Sequence, residues 1–541
     1  MRSVARPQRV RLLGRAAPGV EPSPLLLASA TGICTGTLVV LLNDFVHLLQ
    51  DESPEALAPV APVLAGVLVS LLRFLKPQAF GPEAESSLGT LQARGGRRPR
   101  DAAEAPLRAL AAGLTLAGGN SLGPESPSVE IGANVAATVA RQSKPLRSNL
   151  LAAGCASGIA AGFNAPIAGL FFALEAVRPM QDTQGPPMQL LAAVLAATVS
   201  QLGLGSSPAV DLDFFDWAPA RSLWELPLFM LLGLCCGLVS AALRNLRNLG
   251  KWLFQKAEQA GCPSYLFPIL GGLVVALVTF SPSTKEVLYR GFANVNLVLQ
   301  YADGSRQPLE FGDPLLHLLL LLFCKVILTA VCQSSGLVGG LFAPALFMGA
   351  CLGGVAGRTL RDNFWPWAIS LPGLGIVKAF SVPATYAVVA MAACLGSICK
   401  VPLTSVVLLL ELSGGKDYGV VLPVVAATGV AVYVDDLLSR KPKEAPGASV
   451  LVALEASGKA SVVVPPSLEL STAREKLLEL GEGSLAVVKD ETPGQVLGVV
   501  SLEDLDRAME RGERRSFRGR SLKARLVVFK HMSMHGILMM L

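Results

Sequence analysis

Apolar runs dominate the chain, and short polar breaks separate them. The runs are Pro24–Leu49, Leu57–Leu72, Gln189–Leu202, Trp224–Leu243, Phe267–Phe280, Leu315–Cys332, Tyr386–Ile398 and Val420–Leu437. Several fall short of the ~20 residues that a full membrane span requires. Short apolar segments interrupted by Gly and Pro are the mark of broken or re-entrant membrane helices, which gather at transporter binding sites. The pattern therefore predicts an all-α polytopic membrane protein. Two Gly/Pro-broken segments stand far apart, Gly119 to Gly132 and Ser334 to Phe347. In each, small residues precede a predicted helix start. Such a pair points to inverted repeats around a midplane site. No direct repeat is visible in the residues themselves.

A different kind of sequence begins at the charged, proline-containing linker 439–459. Beyond it, Ala460–Pro465, Ser484–Lys489 and Val496–Ser501 read as strands, and Leu470–Gly481 has helical spacing. Ser501 and Asp504 then open a further helix in near capping-box form. Residues 460–509 are thus expected to be a small soluble α/β unit. Residues 510–541 form a basic, Met-ending tail. At the other end, residues 1–22 are Arg-rich and precede a membrane region spanning 23–438.

Composition supports the membrane class. Of 541 residues, 52% are hydrophobic and only 16% charged, against about 25% charged in soluble domains. Basic residues set orientation. Arg2, Arg6, Arg9, Arg11 and Arg15 precede the first run, and Arg73, Lys76, Arg94, Arg97, Arg98 and Arg100 follow the second. Both groups belong on the cytoplasm-equivalent side, so the net charge of +6 reads as topology rather than as nucleic-acid binding. The acid-free N-terminus reads equally as an organellar transit peptide or as a positive-inside flank. The 10 cysteines and 4 histidines contain no C-x-x-C pair, which argues against a zinc or haem site. No nucleophile–base pair stands out, so no enzyme is expected.

The chemistry concentrates at Gly123-Pro-Glu-Ser-Pro127. Pro124 and Pro127 favour an extended entry and a fresh helix start. Such a start presents unpaired backbone N–H groups, an anion site. Glu125 is an anion already tethered beside it. Other ionisable residues have plainer readings. Glu130 faces a polar crevice or makes a structural pair. Glu175 and Arg178, three apart, form an intrahelical pair by default. Lys325 either attracts anions or snorkels to an interface. Glu411 is a structural acid, and Tyr433 packs.

Four stretches together resemble the CLC family of chloride channels and anion/proton exchangers. Gly123-Pro-Glu-Ser-Pro127 is similar to G-x-E-G-P, with Ser126 in place of the second glycine. Ala160 to Phe172 matches A-x-F-N-A-P-x-A-G. Gly339-Gly-Leu-Phe-Ala-Pro344 matches G-x-F-x-P, and Lys400 to Leu412 matches the late apolar helix. The resemblance covers roughly Ser23 to Arg440 and is nearest to the plant and algal organellar branch. Residues 460–509 resemble a single or partial CBS domain, which implies an adenine nucleotide as ligand there.

The resemblance implies a multi-pass homodimer in the membrane of a plastid or another organelle, with one pore per subunit carrying chloride or nitrate. It makes Glu125 the gating residue. It makes Gly123, Pro124, Ser126, Pro127, Ser128 and Val129, with Gly340, Leu341, Phe342 and Ala343, the backbone cradle of the anion. Partial charges at helix ends would hold a halide weakly enough to release it. Three positions depart from the family. The early serine-bearing motif is not recognisable, leaving Ser86 or Ser87 as stand-ins. The inner proton-relay glutamate falls on Ala176, beside Glu175. The final helix with the pore tyrosine has no match. A methyl group cannot relay a proton, so gated conduction is the expected function. Anion/proton exchange is the alternative, and a non-conducting CBS-type sensor is a reading from another class.

Overall fold

Proline sets where many of the helices begin. Among the described residues, nine of the fifteen α-helices carry it in the first two positions, where its missing N–H costs nothing. The computed structural model of the chain describes residues 23–52, 54, 57–80, 104–140, 146–177, 185–205, 225–307, 312–364, 381–413, 418–439, 463–464, 484–488 and 496–501. It divides into two compact units, Met1–Leu438 and Ser439–Leu541.

The first unit is built from two series of helices. The first series is α1 (Pro24–Asp51), α2 (Ala61–Leu75), α3 (Glu104–Ala117), α4 (Glu125–Val139), α5 (Arg147–Phe163), α6 (Pro166–Phe172) and α7 (Gly185–Leu204). A π turn, Ala173–Val177, extends α6. The second series is α8 (Leu226–Gln259), α9 (Phe267–Thr279), α10 (Ala293–Asp303), α11 (Pro314–Ser334), α12 (Phe342–Phe364), α13 (Pro383–Cys399), α14 (Pro402–Leu412) and α15 (Val421–Ser439). Six of these, α1, α7, α8, α11, α12 and α15, are long and apolar enough to cross a membrane. The shorter α2, α9, α13 and α14 are apolar as well, which agrees with the expected polytopic, broken-helix architecture.

Glycine contacts reveal how the two series correspond. Gly32 and Gly36 of α1 lie against the backbone of Ala192 and Ala196 of α7, so closely that no Cβ fits. Gly233 and Gly237 of α8 lie in the same way against Ala427 and Ala431 of α15. Gly66 of α2 meets Pro268 of α9, and Gly272 of α9 meets Pro62 of α2. Gly132 and Gly154 hold α4 to α5, and Gly349 and Gly353 hold α12 to Ala390, Met391 and Tyr386 of α13. Without a hydrophobic drive between helices in lipid, small residues that admit close backbone contact supply the packing. The two series thus carry matched small-residue seams.

The apolar runs of the sequence missed α4, α5 and α12. These helices are rich in Ala and Gly, which score low on hydropathy, yet they lie at the centre. Cys155 to Ala161 of α5 and Pro383 to Ser397 of α13 are buried without interruption. Lipid-facing Leu residues, such as Leu231, Leu234 and Leu238 of α8, lie on the outside.

In the second unit, β1 (Val463–Val464) pairs parallel with β2 (Ser484–Val488), and β2 pairs antiparallel with β3 (Val496–Ser501). The three expected strands are therefore present. The helices expected at 470–481 and after Ser501, and the linker and the tail, lie outside the described residues.

Candidate functional site

The two broken segments meet head to head. Gly123 N–H donates to Gly340 O at 2.9 Å, and Gly340 N–H donates back to Gly123 O at 2.6 Å. This isolated antiparallel bridge places the start of α4 beside the start of α12. The Tyr289 N–H fixes Gly119 O at 2.9 Å, and Gln50 Nε2 donates to both Leu116 O and Tyr289 O. Ser121 Oγ and Thr329 Oγ1 lie 2.9 Å apart and bind the first break to α11. The approach to α4 differs from the expected extended entry, because Pro124 is already helical at φ −80° and ψ −9°.

Glu125 reaches across this junction. Its side chain is 1% exposed, and its Oε1 accepts the Ala343 N–H in the first turn of α12 at 3.1 Å. Oε2 has no hydrogen-bond partner among the described residues. The carboxylate therefore sits at the positive end of a helix other than its own, where backbone dipoles favour an anion. Both bridge glycines make this possible. A Cβ on Gly340 would lie 2.7 Å from Glu125 Oε2 and 2.9 Å from Ser126 N, and one on Gly123 would collide with the same carboxylate.

The other cradle residues differ in what they offer. Ser128 N–H and Oγ–H both go to Pro124 O, at 3.0 and 2.8 Å, and Pro127 has no N–H. Ser126 N faces Gly340 across the junction. Val129 is buried in the core behind it. Leu341 O accepts Ala345 N–H, which starts α12. The Phe342 ring stacks on Phe163 at 6.0 Å and meets Phe172 edge-on at 5.9 Å. Its ring thus packs between α5 and α6 while its backbone stays at the junction.

Several expectations are corrected. Lys325 does not snorkel. It is 4% exposed, donates to Val287 O at 2.7 Å and lies over the Phe347 ring, so its ammonium group is held inside the fold. Tyr433 is not a packing residue within the chain, since it is 63% exposed on α15. The Glu175 carboxylate also reaches beyond its own helix. It accepts from Leu403 N, Thr404 N and Thr404 Oγ1 at 3.0, 2.9 and 2.7 Å. Arg178, Ser86 and Ser87 lie outside the described residues. Glu130 pairs with Arg108 at 2.6 Å, as its structural reading required.

Glu411 mirrors Glu175. It accepts from Ile167 N and Ala168 N at 2.9 and 2.7 Å. Each glutamate therefore caps the proline-started helix that carries the other one, α6 or α14. Both helices enter through a left-handed residue, Asn164 at φ 54° and Lys400 at φ 60°. In each case the proline follows two residues later and the glutamate nine residues after the proline. That spacing was a repeat signal available in the sequence. Ala176 sits in the π turn beside Glu175, half-buried against the core.

Known proteins similar to this chain were found by sequence and by fold. A family model described as voltage gated chloride channel matches residues 86–436. Chloride channel protein CLC-e of Arabidopsis thaliana is 38% identical over 461 residues, covering 78% of this chain and 61% of that protein. Chloride channel protein CLC-f of the same plant is 36% identical over 463 residues, 79% of this chain and 56% of that protein. The chain thus spans about three-fifths of the length of these relatives. The H(+)/Cl(-) exchange transporter ClcA of Klebsiella pneumoniae is 28% identical over 77% of this chain and 86% of its own. The crystal structure of a slow cyanobacterial Cl-/H+ antiporter shares the fold, with a TM-score of 0.64 at 22% identity over 81% of this chain and 99% of that one.

Proposed function

From the premise that this chain belongs to the voltage-gated chloride channel family, we propose that it conducts chloride or a similar monovalent anion passively, gated by Glu125. It is a multi-pass membrane protein of a family of anion transporters. One observation carries the gating assignment: the Glu125 carboxylate occupies the N-terminus of α12 through Ala343 N–H. A halide seeking those backbone donors must displace it, and protonating it removes its competition. Ser126, which replaces the family's glycine, adds a hydroxyl at the same junction.

Conduction without proton coupling rests on the inner side. Ala176 has no titratable atom, and Glu175 is occupied by three donors from α14. The second reading, anion/proton exchange, is favoured by the bacterial relatives named as exchangers. Chloride and proton flux measured together in reconstituted vesicles decide between them. Under the conduction reading an outward chloride gradient drives no uphill proton movement, and Glu125→Gln flattens the pH dependence while flux is kept or raised. Uphill proton pumping abolished by Glu125→Gln would replace conduction by exchange. Absence of any flux would favour the sensor reading.

A homodimer accompanies this reading. Exposed apolar residues on α6, α7, α14 and α15, among them Ile167, Val194, Leu403 and Val425, support it. Nitrate as a second permeant anion, an organellar membrane and an adenine nucleotide at residues 460–509 belong to the same proposal.

A further inference from the structure

A cavity of about 290 Å³ lies behind the anion junction. Its wall includes Ser126 and Pro127 from the first turn of α4 and Gly336 to Gly339 from the second broken segment. Among the described residues, four cationic side chains line it, Arg73, Arg108, Arg247 and Lys251, with one carboxylate, Glu130. Arg108 is neutralised by Glu130 at 2.6 Å. The cavity opens on the basic face of the fold. Arg73 follows the apolar part of α2, and Arg244, Arg247, Lys251 and Lys256 occupy the C-terminal half of α8. By the distribution of basic residues this is the cytoplasm-equivalent side.

The guanidinium groups are held in place. Arg73 Nη1 donates to Gly336 O at 2.9 Å. Gly336 has φ +82°, and a Cβ there would run into this guanidinium. Arg247 Nη1 donates to Gln333 Oε1 at 3.0 Å. Arg73 Nη2 also donates to Phe80 O at 3.3 Å, whereas the bond to Gln333 engages one of the five N–H groups of the Arg247 guanidinium. Lys251 is exposed at the rim, and its ammonium group is a compact cation on a flexible stem.

This charge pattern does not suit rapid transit of a halide. A permeant monovalent anion needs sites weak enough to leave, as helix-end partial charges are. Pre-positioned guanidinium groups with a lysine suit an oxyanion of higher charge, which they can bind through several charge-assisted hydrogen bonds. We propose that this cavity is an inhibitory site for a phosphoryl group, held by Arg247 and Lys251 in the field of Arg73. An occupant there lies against Ser126 and obstructs anion passage at the Glu125 junction. The obstruction, but not the binding, rests on the anion-transport reading above.

The purified full chain in detergent is titrated with inorganic phosphate at constant ionic strength, and thermal unfolding is followed. Phosphate should raise the unfolding temperature saturably, while matched nitrate or chloride does not. Arg247→Gln and Lys251→Gln should each raise the half-saturating phosphate concentration about tenfold, the loss of one charge-assisted hydrogen bond. Lys256→Gln, on the same helix but outside the cavity, should leave it unchanged. Lys251 is at the rim, so its variant keeps the test valid if Arg247→Gln does not fold. In vesicles, phosphate should slow chloride flux with the same half-saturation, each variant being referred to its own phosphate-free rate. A second arm replaces free phosphate by phosphatidic acid in the bilayer. A Lys251-dependent effect in that arm alone would assign the phosphoryl group to a lipid headgroup. Binding without any flux would leave the site standing and overturn the transport reading instead. An equal response to nitrate, or an unchanged half-saturation in both cavity variants, would overturn the proposal.

Discussion

In the first series, the break at Gly123 leads into α4 through Pro124 and Glu125. In the second, the break at Gly340 leads into α12 through Leu341 and Phe342. The backbones are near counterparts and exchange two hydrogen bonds. The side chains are not counterparts. One segment supplies a carboxylate, and the other supplies only the N–H that receives it. Elsewhere the two series are matched in chemistry as well as shape. Glu175 and Glu411 cap each other's helices, and the Gly32/Gly36 and Gly233/Gly237 seams repeat. A common scaffold places two helix N-termini together, and a single asymmetric residue, Glu125, lays a carboxylate across them.

The largest effect should come from disturbing the junction itself. Gly340→Ala puts a methyl 2.7 Å from Glu125 Oε2, and overpacking of this kind costs about 1–3 kcal/mol. The expected result is a carboxylate pushed off Ala343 and flux whose pH dependence is flattened, measured in vesicles beside Gly123→Ala. Gly429→Ala on α15, with nothing within 4 Å, should leave the pH profile as it was. If Gly340→Ala retains the unmodified profile, the carboxylate does not gate from this position.

Next come the mirrored caps. Glu175→Gln and Glu411→Gln each weaken charged hydrogen bonds to a helix start, so each should destabilise the fold by about 1–3 kcal/mol. Equal losses in thermal unfolding would sustain the mirror relation. A larger effect of Glu175→Gln on flux than on stability would show that this acid also serves transport.

The smallest effect concerns the left-handed entry at Asn164. Asn tolerates this conformation, whereas a methyl side chain pays roughly 1 kcal/mol or more. Asn164→Ala should therefore lower the unfolding temperature slightly, and Asn164→Gly should leave it near its original value. Equal behaviour of the two variants would mean that the bond from Gln201 Nε2 to Asn164 Oδ1, 2.8 Å long, matters more than φ.

Much of the membrane fold was legible because lipid imposes strong rules. Apolar length marked α1, α8, α11 and α15, and proline marked several helix starts. Helix α5 escaped that reading, because Ala and Gly carry little hydropathy and reveal their worth only against a close neighbour. At the site, Glu125 was legible from its place between two prolines. The role of Glu175 was not, since its receptor, the start of α14, lies 228 residues away in the chain. Lys325 was ambiguous for the same reason: an apolar run with one cation does not say whether a carbonyl waits opposite it, and Val287 does.

The sequence by itself determined the polytopic class, the two broken segments, the position of Glu125 and the three strands of the second unit. These follow from local composition, from proline's fixed φ and missing N–H, and from alternation over a few residues. Tertiary structure alone decided that Glu125 would cross to the other series and rest on Ala343, and that Gly123 and Gly340 would leave it room. It also decided that Arg73, Arg247 and Lys251 would line one cavity. Those are relations between residues far apart in the chain, and only the packing of small-residue seams brings them within hydrogen-bonding reach.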